Sequence, residues 1–546
     1  MLLDRVGDQR LGLRTRERDW TWDEVVGESV ARAALALELR HEGPFHIGVL
    51  LDNVPDFIFW LGGAALAGAT IVGINPTRGD HEMADEVRHT DCQLIVTDSV
   101  GQQRLTSLDL GLTPDRLLVI DDPAYRSAIC ARKPAVGAGN RAQIAASGEA
   151  LFLLLFTSGT TGASKAVKCS QGRLAWVAYS AVDKFGHVRE DVDYCCMPLF
   201  HGNAIMALWA PALAVGATVC LTPTFSASGF LPDVRYFGAT FFTYVGKALG
   251  YLMATPELPD DADNNLDRGF GTEASPEDQV QFRRRFGAEL YEGYGSSEGG
   301  GAVLLDPNQP PGSLGRPAHA GVAIVDSETL KDCATAVLDQ NGLLLNPDDA
   351  VGEIVDRLGT KKFEGYYKND AADADRIRNG WYWTGDLGYL DADGFIYFAG
   401  RRGDWIRVDG ENTSALAIER VLRRHPEVIA AAVYAVPDPR SGDQVMAAIE
   451  VSDPAAFDAG RFVAYLRAQE DLGAKGTPRF LRVSSALPVT GSNKVLKREL
   501  QAQRWHTDEP VYRWVGRNPV HYAVMTEDAK RALDDEFARH GRQRYL

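Results

Sequence analysis

Apolar runs and helical patterns alternate along the first part of the chain. The segments "HIGVLLDN", "DFIFWLGGAALA", "TIVGINP", "HEMADEVRHT" and "CQLIVTDS" follow one another with little between them. Such alternation predicts βαβ units around a parallel sheet. From Ala131 to Ala150 the chain turns Ala/Gly-rich and weakly patterned, a surface connection between subdomains. The pattern resumes at "ALFLLLFTSGTTG". Between Gly315 and Phe398, shorter alternating segments such as "GVAIVD" and "FIYFAG" predict an antiparallel sheet or small barrel. After Gly400, "SALAIERVLRRHP", "IAAAVYAVPD", "QVMAAIEV" and "GRFVAYLRAQ" form an α+β unit of their own. The expected organisation is α/β, with residues 1–400 as a large N-terminal domain and 401–546 as a small C-terminal one.

Two uncharged runs, Phe57 to Pro76 and Asn203 to Pro232, raise the question of a membrane span. Each reads as an apolar helix, then "AGAT" or "VGAT", then a short β-branched strand, and Pro211, Pro223 and Pro232 break up the second run. No spanning helix is expected, while peripheral contact with the inner membrane face stays open. A chain of 546 residues exceeds one ordinary core, so two or more domains follow from length as well. The net charge of −17 argues against a nucleic-acid partner and leaves room for a local phosphate site. The 7 cysteines are scattered and lack metal-ligand spacing, which points to free thiols in a reducing compartment. The first residues, "MLLDRVGDQRLGLRTRERDW", have no apolar core or cleavage pattern, so no signal peptide is expected and the chain reads as cytoplasmic.

One stretch carries chemistry on its face. In "LLFTSGTTGASKAVK" a buried strand, Leu151 to Phe156, runs into small hydroxyls and glycines whose backbone N–H groups can wrap a polyphosphate, with Lys165 adding a point charge. The pattern G-x-x-x-x-G-K-[ST] does not fit, since Ala163 and Ser164 separate Gly162 from Lys165 and Ala166 follows. A Ser/Gly linker is the alternative, though linkers rarely join a buried strand to an ordered helix. Further on, "YEGYGSSEGG" puts Tyr294 and Glu298 on a glycine-rich turn, offering an aromatic face to a purine and a carboxylate to a hard cation. The stretch "WYWTGDLGYL" puts Asp386 in a turn, suited to a ribose diol. Arg401 falls at the expected domain boundary and Lys494 in a turn of "LPVTGSNKVLKREL". Taken singly, these could be a core tyrosine, a capping aspartate, a surface arginine and a solvated lysine.

Together and in this order the motifs resemble the adenylate-forming superfamily of acyl-CoA synthetases, luciferases and adenylation domains, over nearly the whole chain. Within it, "GRRGDWIRVDGEN", "PLFHGNA", "FTYVGKALGYL", "VTGSNK" and the tail "EPVYRWVGRNPVHYAVMT" are similar to the very-long-chain acyl-CoA synthetase and fatty acid transport protein branch, mycobacterial-type ligases included. The resemblance implies βαβ-type subdomains plus a small β-barrel and a mobile C-terminal domain. It assigns Thr157, Ser158, Gly159, Thr160, Thr161, Gly162 and Lys165 to the ATP phosphates, Tyr294 to adenine, and Ser297 and Glu298 to the α-phosphate and Mg²⁺. Asp386 and Arg401 would hold the ribose, His201 and the segment Tyr244, Val245 and Gly246 the acyl site, Gly410 the passage of coenzyme A, and Lys494 would be catalytic. A swivel is placed at Gly403 and Asp404. The sequence departs from the family at Ser164, Ser297 and Asn493, where proline, threonine and glycine are common.

The implied reaction joins a hydrophobic carboxylic acid (long-chain, very-long-chain or sterol side-chain) to coenzyme A through an acyl-adenylate, releasing AMP and pyrophosphate. An acyl-AMP ligase with another acceptor and a lipid uptake protein remain alternatives, and a homodimer is left open. A phosphotransferase would release ADP and leave the Tyr294–Glu298 turn and Lys494 unexplained. A nonribosomal module would be expected to continue into a carrier domain.

Overall fold

The structure is a computed structural model that describes residues 1–133, 147–158, 164–274, 276–299, 303–306, 308–310, 312–339, 344–401, 405–408, 411–440, 442–469, 471–472, 476–490, 494–516 and 520–546. Contacts divide the chain into two units. One holds Met1–Ala274, Asp278–Gly300 and Thr360–Arg378; the other holds Ser275–Glu277, Gly301–Gly359 and Asn379–Leu546.

The expected βαβ units of the first unit form two sheets. In the first sheet the order is β6 (Leu117–Val119), β5 (Cys92–Thr97), β3 (His46–Leu50), β4 (Thr70–Gly73), β7 (Leu151–Ser158) and β8 (Ser164–Ser170). All neighbours are parallel except β7 and β8. In the second the order is β13 (Glu289–Glu292), β12 (Arg268–Thr272), β11 (Phe241–Val245), β9 (Val192–Cys195), β10 (Thr218–Leu221), β1 (Leu11–Arg14) and β2 (Asp19–Thr21). Only β2 runs antiparallel to its neighbour. Every residue of β3, β4 and β11 is buried, which is why these strands read as unbroken apolar runs rather than alternating ones.

The two uncharged runs fold as helix, turn and strand. In the first, Pro55 opens a helix to Ala67, where its fixed φ and missing N–H cost nothing, and Gly68 ends it at φ 68° before β4. In the second, Gly202–Ala204, Ile205–Trp209 and Ala210–Val215 make one continuous helical segment, and Gly216 at φ 81° leads to β10. Pro211 and Pro232 therefore do not break their segments, contrary to expectation: Pro232 lies inside the helix Ala227–Phe237, and Pro211 follows a π turn at Ile205–Trp209. A proline cannot donate to the carbonyl four residues back, and a wider turn just before it accommodates that gap. No described helix is long and apolar enough to cross a membrane.

The loop after β7 also connects differently from the expectation of strand, loop and helix. It closes a hairpin, with Thr157 opposite Lys165 and Ser158 opposite Ser164, and the helix begins only at Gln171, capped by the Ser170 hydroxyl accepting from the Arg173 N–H. Ser170, the last residue of β8, is thus the true helix signal.

The second unit contains an antiparallel sheet in the order Val303–Leu304, Ser313–Pro317, Ile396–Arg401, Trp381–Leu390, Gly352–Asp356 and Val322–Val325, where an antiparallel sheet or small barrel was expected. Its C-terminal part is α+β. A five-stranded sheet orders Ala430–Pro437, Asp443–Glu450, Phe480–Ser484, Val511–Val515 and His521–Val524. Apolar clusters cover its two faces, one around Ile418, Leu422 and Phe462, the other around Trp505, Leu533 and Phe537. The last two strands are the tail "VYRWV" and "HYAV", so this segment completes the sheet.

Candidate active site

Parallel strands send all their carboxyl ends to one edge, and in open α/β sheets that edge is where ligands bind. From β9 the chain passes through Cys196 to His201, from β11 into Gly246, and from β13 into the turn Gly293–Gly299. Asn53, just beyond β3, clamps the first of these exits: its amide donates to the Met197 carbonyl at 2.9 Å and accepts from the Leu199 N–H at 2.8 Å. Gly73, ending β4, lies so close that a Cβ there would stand 2.8 Å from the Phe200 carbonyl oxygen. His201 precedes the first helical turn, and the Ile205 N–H donates to its carbonyl at 3.4 Å. At Gly202 an added Cβ would meet Ser297 Oγ at 3.4 Å and Leu155 at 3.5 Å. The sequence-predicted His201, Ser297 and β7 segments therefore converge, although they are far apart along the chain.

On the β7 side, Lys165 leaves the hairpin with its ammonium 5.3 Å from the centre of the Tyr366 ring. The Tyr366 hydroxyl donates to Glu298 Oε1 at 2.9 Å, and Arg376 Nη2 lies 3.7 Å from that oxygen. Glu298 is 5% exposed. Arg173 donates to the Ser297 carbonyl, and Gly299 at φ 85° leaves that guanidinium space that a Cβ, 2.5 Å away, would take. A cation, an aromatic ring and a carboxylate thus stand together at the start of β8. Tyr294 is half-buried on the same turn. Gly159, Thr160, Thr161 and Gly162 lie outside the described residues, as does the Ser158 side chain.

The β11 side is apolar. Tyr244 and Val245 are buried, and Gly246 must be glycine because a Cβ would come within 2.2 Å of the Glu273 carbonyl oxygen. Cys196, Met197, Phe230, Phe242, Leu249 and Leu252 close against Thr243 and Tyr244, leaving no room for a water molecule. The Tyr244 hydroxyl is turned to Glu292 on β13, donating to Oε1 at 2.7 Å. Burial pushes the Glu292 carboxyl up to about 8, against the pull of hydrogen bonds from Tyr244 and the backbone of Ala274 and Glu273.

At the opposite end of β9, His187, Asp191 and Asp193 form a buried group with metal-type ligand atoms. Arg268 already holds Asp191 at 2.6 Å, and the Thr240 hydroxyl donates to it at 2.9 Å. Burial and the Asp191 charge push the Asp193 carboxyl well up, which favours its neutral form inside the protein.

In the second unit, Asp386 and Arg401 face each other across neighbouring antiparallel strands, with Arg401 Nε 3.3 Å from Asp386 Oδ1. Asp386 lies within the strand Trp381–Leu390 and not in the turn expected from "TGD". Gly385 at φ 76° takes up the bend, and its N–H donates to Glu353 at 2.9 Å, so the flanking Trp and Tyr residues can continue the ladder. Lys494 is in a tight turn: its N–H donates to the Thr490 hydroxyl at 3.0 Å and its carbonyl accepts from the Thr490 N–H at 2.7 Å. Gly403, Asp404, Gly410 and Asn493 lie outside the described residues.

Sequence reasoning passed over Asn53, Arg173, Tyr366 and Arg376. The available signal at Tyr366 was the glycine before it in "FEGYYK"; Asn53 and Arg376 carry none, because their partners are distant in sequence.

Comparison with known proteins gives the family. A family model described as AMP-binding enzyme matches residues 7–367, and one described as AMP-binding enzyme C-terminal domain matches residues 417–494. The chain is 68% identical to the steroid-22-oyl-CoA synthetase of Rhodococcus jostii (strain RHA1), over 100% of this chain and 98% of that protein. It is 43% identical to the medium/long-chain-fatty-acid–CoA ligase FadD17 of Mycobacterium marinum (strain ATCC BAA-535 / M), over 93% and 96% of the two chains. The fold matches the ATP-bound crystal structure of MatB from Rhodopseudomonas palustris with a TM-score of 0.77 at 21% identity, covering 92% of this chain and 97% of that one. The chain belongs to the AMP-binding enzymes, in their acyl-CoA synthetase branch.

Proposed function

We propose that the chain is an ATP-dependent, AMP-forming acid–thiol ligase that joins a steroid acid, with its carboxyl at carbon 22, to coenzyme A. The observation that carries the acid's identity is the 68% identity, over the full chain, with a steroid-22-oyl-CoA synthetase. The apolar side chains at the β11 exit suit a hydrophobic acid, and the more distant fatty-acid ligase makes medium and long fatty acids the second reading.

A carboxylate is a poor electrophile because its oxygen is a poor leaving group. It is activated when it attacks the α-phosphate of ATP, the carboxyl O–P bond forming as the bond to pyrophosphate breaks. Anion meets anion in that step, so fixed positive charge and aligned donors are what the protein must supply. Lys165 and the Thr157–Gly162 loop hold the β and γ phosphates, Tyr294 stacks on adenine, and Asp386 and Arg401 hold the ribose. Ser297 contacts the α-phosphate, His201 with Tyr244, Val245 and Gly246 bounds the acyl site, and Lys494 brings an ammonium to the carboxylate and phosphoryl oxygens. Glu298 fits Mg²⁺: its Oε1 is engaged by Tyr366 and Arg376, leaving Oε2 as the single protein carboxylate such a site uses beside phosphate oxygens. When bound, the ion supplies positive charge at the phosphates. In the second half-reaction the coenzyme A thiolate attacks the acyl carbonyl and AMP leaves. The C-terminal domain, residues 401–546, swivels at Gly403 and Asp404 between the half-reactions and lets the pantetheine arm pass Gly410.

The test is a competition between a C22 steroid acid and saturated fatty acids of graded length, read as kcat/KM for thioester formation. The steroid acid should win over every fatty acid. A long-chain fatty acid turning over more efficiently would replace the steroid reading by the second one.

A further inference from the structure

Tyr366 stands between two groups that the proposed reaction needs, and it belongs to none of the sequence motifs. Its ring lies under the Lys165 ammonium at 5.3 Å, its hydroxyl donates to Glu298 Oε1 at 2.9 Å, and it is 1% exposed. The hydroxyl is used twice, since it also accepts from Arg376 Nε at 3.0 Å. The backbone around it is fixed. Tyr366 bridges Val167 on β8, its N–H donates to Asp373 at 2.7 Å, and the Tyr367 N–H donates to the Ala166 carbonyl at 2.8 Å. Gly365 permits this approach: at φ 86°, a Cβ would fall 2.7 Å from Asp373 and 3.0 Å from Lys168 Nζ. Tyrosine alone presents a π-face to a cation along its body and a hydroxyl donor at its tip.

We propose that Tyr366, backed by Arg376, is a positioning residue of the adenylation site that sets the spacing between Lys165 and the Glu298 carboxylate. It rests on Lys165 serving the ATP phosphates and Glu298 the metal. With Oε1 held by the hydroxyl, Oε2 is kept for the cation. Without the hydroxyl, or without the Arg376 Nε–H that orients it, the carboxylate is free to rotate and Oε2 is no longer held for the cation. Phenylalanine keeps the seat for Lys165 and loses that for Glu298; leucine loses both.

The experiment titrates ATP into the full chain calorimetrically, with and without Mg²⁺. Tyr366→Phe should weaken binding with Mg²⁺ roughly tenfold, the scale of one hydrogen bond to a charged group, and leave Mg²⁺-free binding unchanged. Tyr366→Leu should weaken both. Arg376→Met should resemble Tyr366→Phe, with Arg376→Lys recovering part of the loss. Tyr366→Phe binding as tightly as the native chain in Mg²⁺, or losing equally in both conditions, overturns the proposal. If Tyr366→Phe does not fold, Arg376→Met decides: a normal Mg²⁺ dependence there overturns it. A native chain that does not bind ATP at all refutes the functional reading itself, which is a separate result.

Discussion

The two parallel sheets of the first unit are built alike and end differently. Both bury strands on two faces and deliver their chemistry at the carboxyl edge, yet β7 runs out into small hydroxyls, glycines and Lys165, whereas β9 and β11 run out among Met197, Phe242, Leu249 and Leu252. Strand architecture supplies an address, and the residues just beyond each strand decide what is received there. A polar exit of hydroxyls, glycines and a lysine suits phosphate; an apolar exit suits a hydrocarbon body. Glycines mark the β11 and β13 exits for a steric reason, as Gly246 and Gly299 show, where an added Cβ would meet an atom at 2.2 and 2.5 Å.

The largest expected effect adds the second unit to this comparison. Lys494→Ala should reduce acyl-adenylate formation by about 10²–10³-fold, the scale seen when one preorganised electrostatic contact is removed. A supplied acyl-adenylate should still be converted to the thioester. Arg498→Ala is the suitable control, because the neighbouring Lys497 pairs with the largely buried Glu419 at 2.8 Å and its loss would uncover that carboxylate. Measuring the half-reactions separately distinguishes a role in the first step from general damage.

On the polar side, Glu298→Gln should slow adenylation by roughly 10²-fold, with the dissociation constant of the acid unchanged. An acid affinity that falls in parallel would mean the two exits are not separable. On the apolar side, shortening a fatty acid should weaken binding by about 0.8 kcal/mol per buried CH₂, close to fourfold in KM for each. Acetate turning over as well as a long chain would contradict the assignment of β11.

Asn53 ties the exits together, so its effect should be on stability more than on chemistry. Asn53→Ala leaves a buried carbonyl and a buried N–H without their side-chain partner, at a cost of about 1–3 kcal/mol, readable as a lower denaturation midpoint. A further effect concerns pH. The Glu292 carboxyl is raised from an ordinary 4.5 to about 8, so across that interval the unfolded chain has released a proton that the folded chain keeps. Stability contributed by this group therefore declines as pH rises from 4.5 to 8 and levels off above it. Glu292→Gln should flatten that slope in melting curves taken across the interval.

How much of this was readable in the sequence depends on the distance over which each feature is decided. The helix Pro55–Ala67, its Gly68 stop and β4 were readable because proline, glycine and the β-branched run act within a few residues. Strand β8 was not: "SKAVKCS" has no strong local preference and becomes a strand by pairing with β7 and bridging Tyr366. Asp386 was misplaced because "TGD" is a local turn signal that the ladder between Trp381–Leu390 and its neighbours overrides. The motif residues Lys165, Glu298 and Lys494 were singled out from their motifs, and Ser297 from the family resemblance those motifs carry. Their supports were not, since Tyr366 meets Glu298 across 68 positions and Asn53 meets Met197 across 144.

The central claim is that the two exits cooperate in one reaction, activation of a large hydrophobic acid through its adenylate. It is tested most directly by incubating the purified chain with ATP, Mg²⁺, coenzyme A and a C22 steroid acid, and resolving the products. The account predicts AMP, pyrophosphate and the steroid thioester in equal amounts, with the acyl-adenylate accumulating when coenzyme A is withheld; ADP in place of AMP, or thioester formed with no adenylate detectable on that omission, would contradict it.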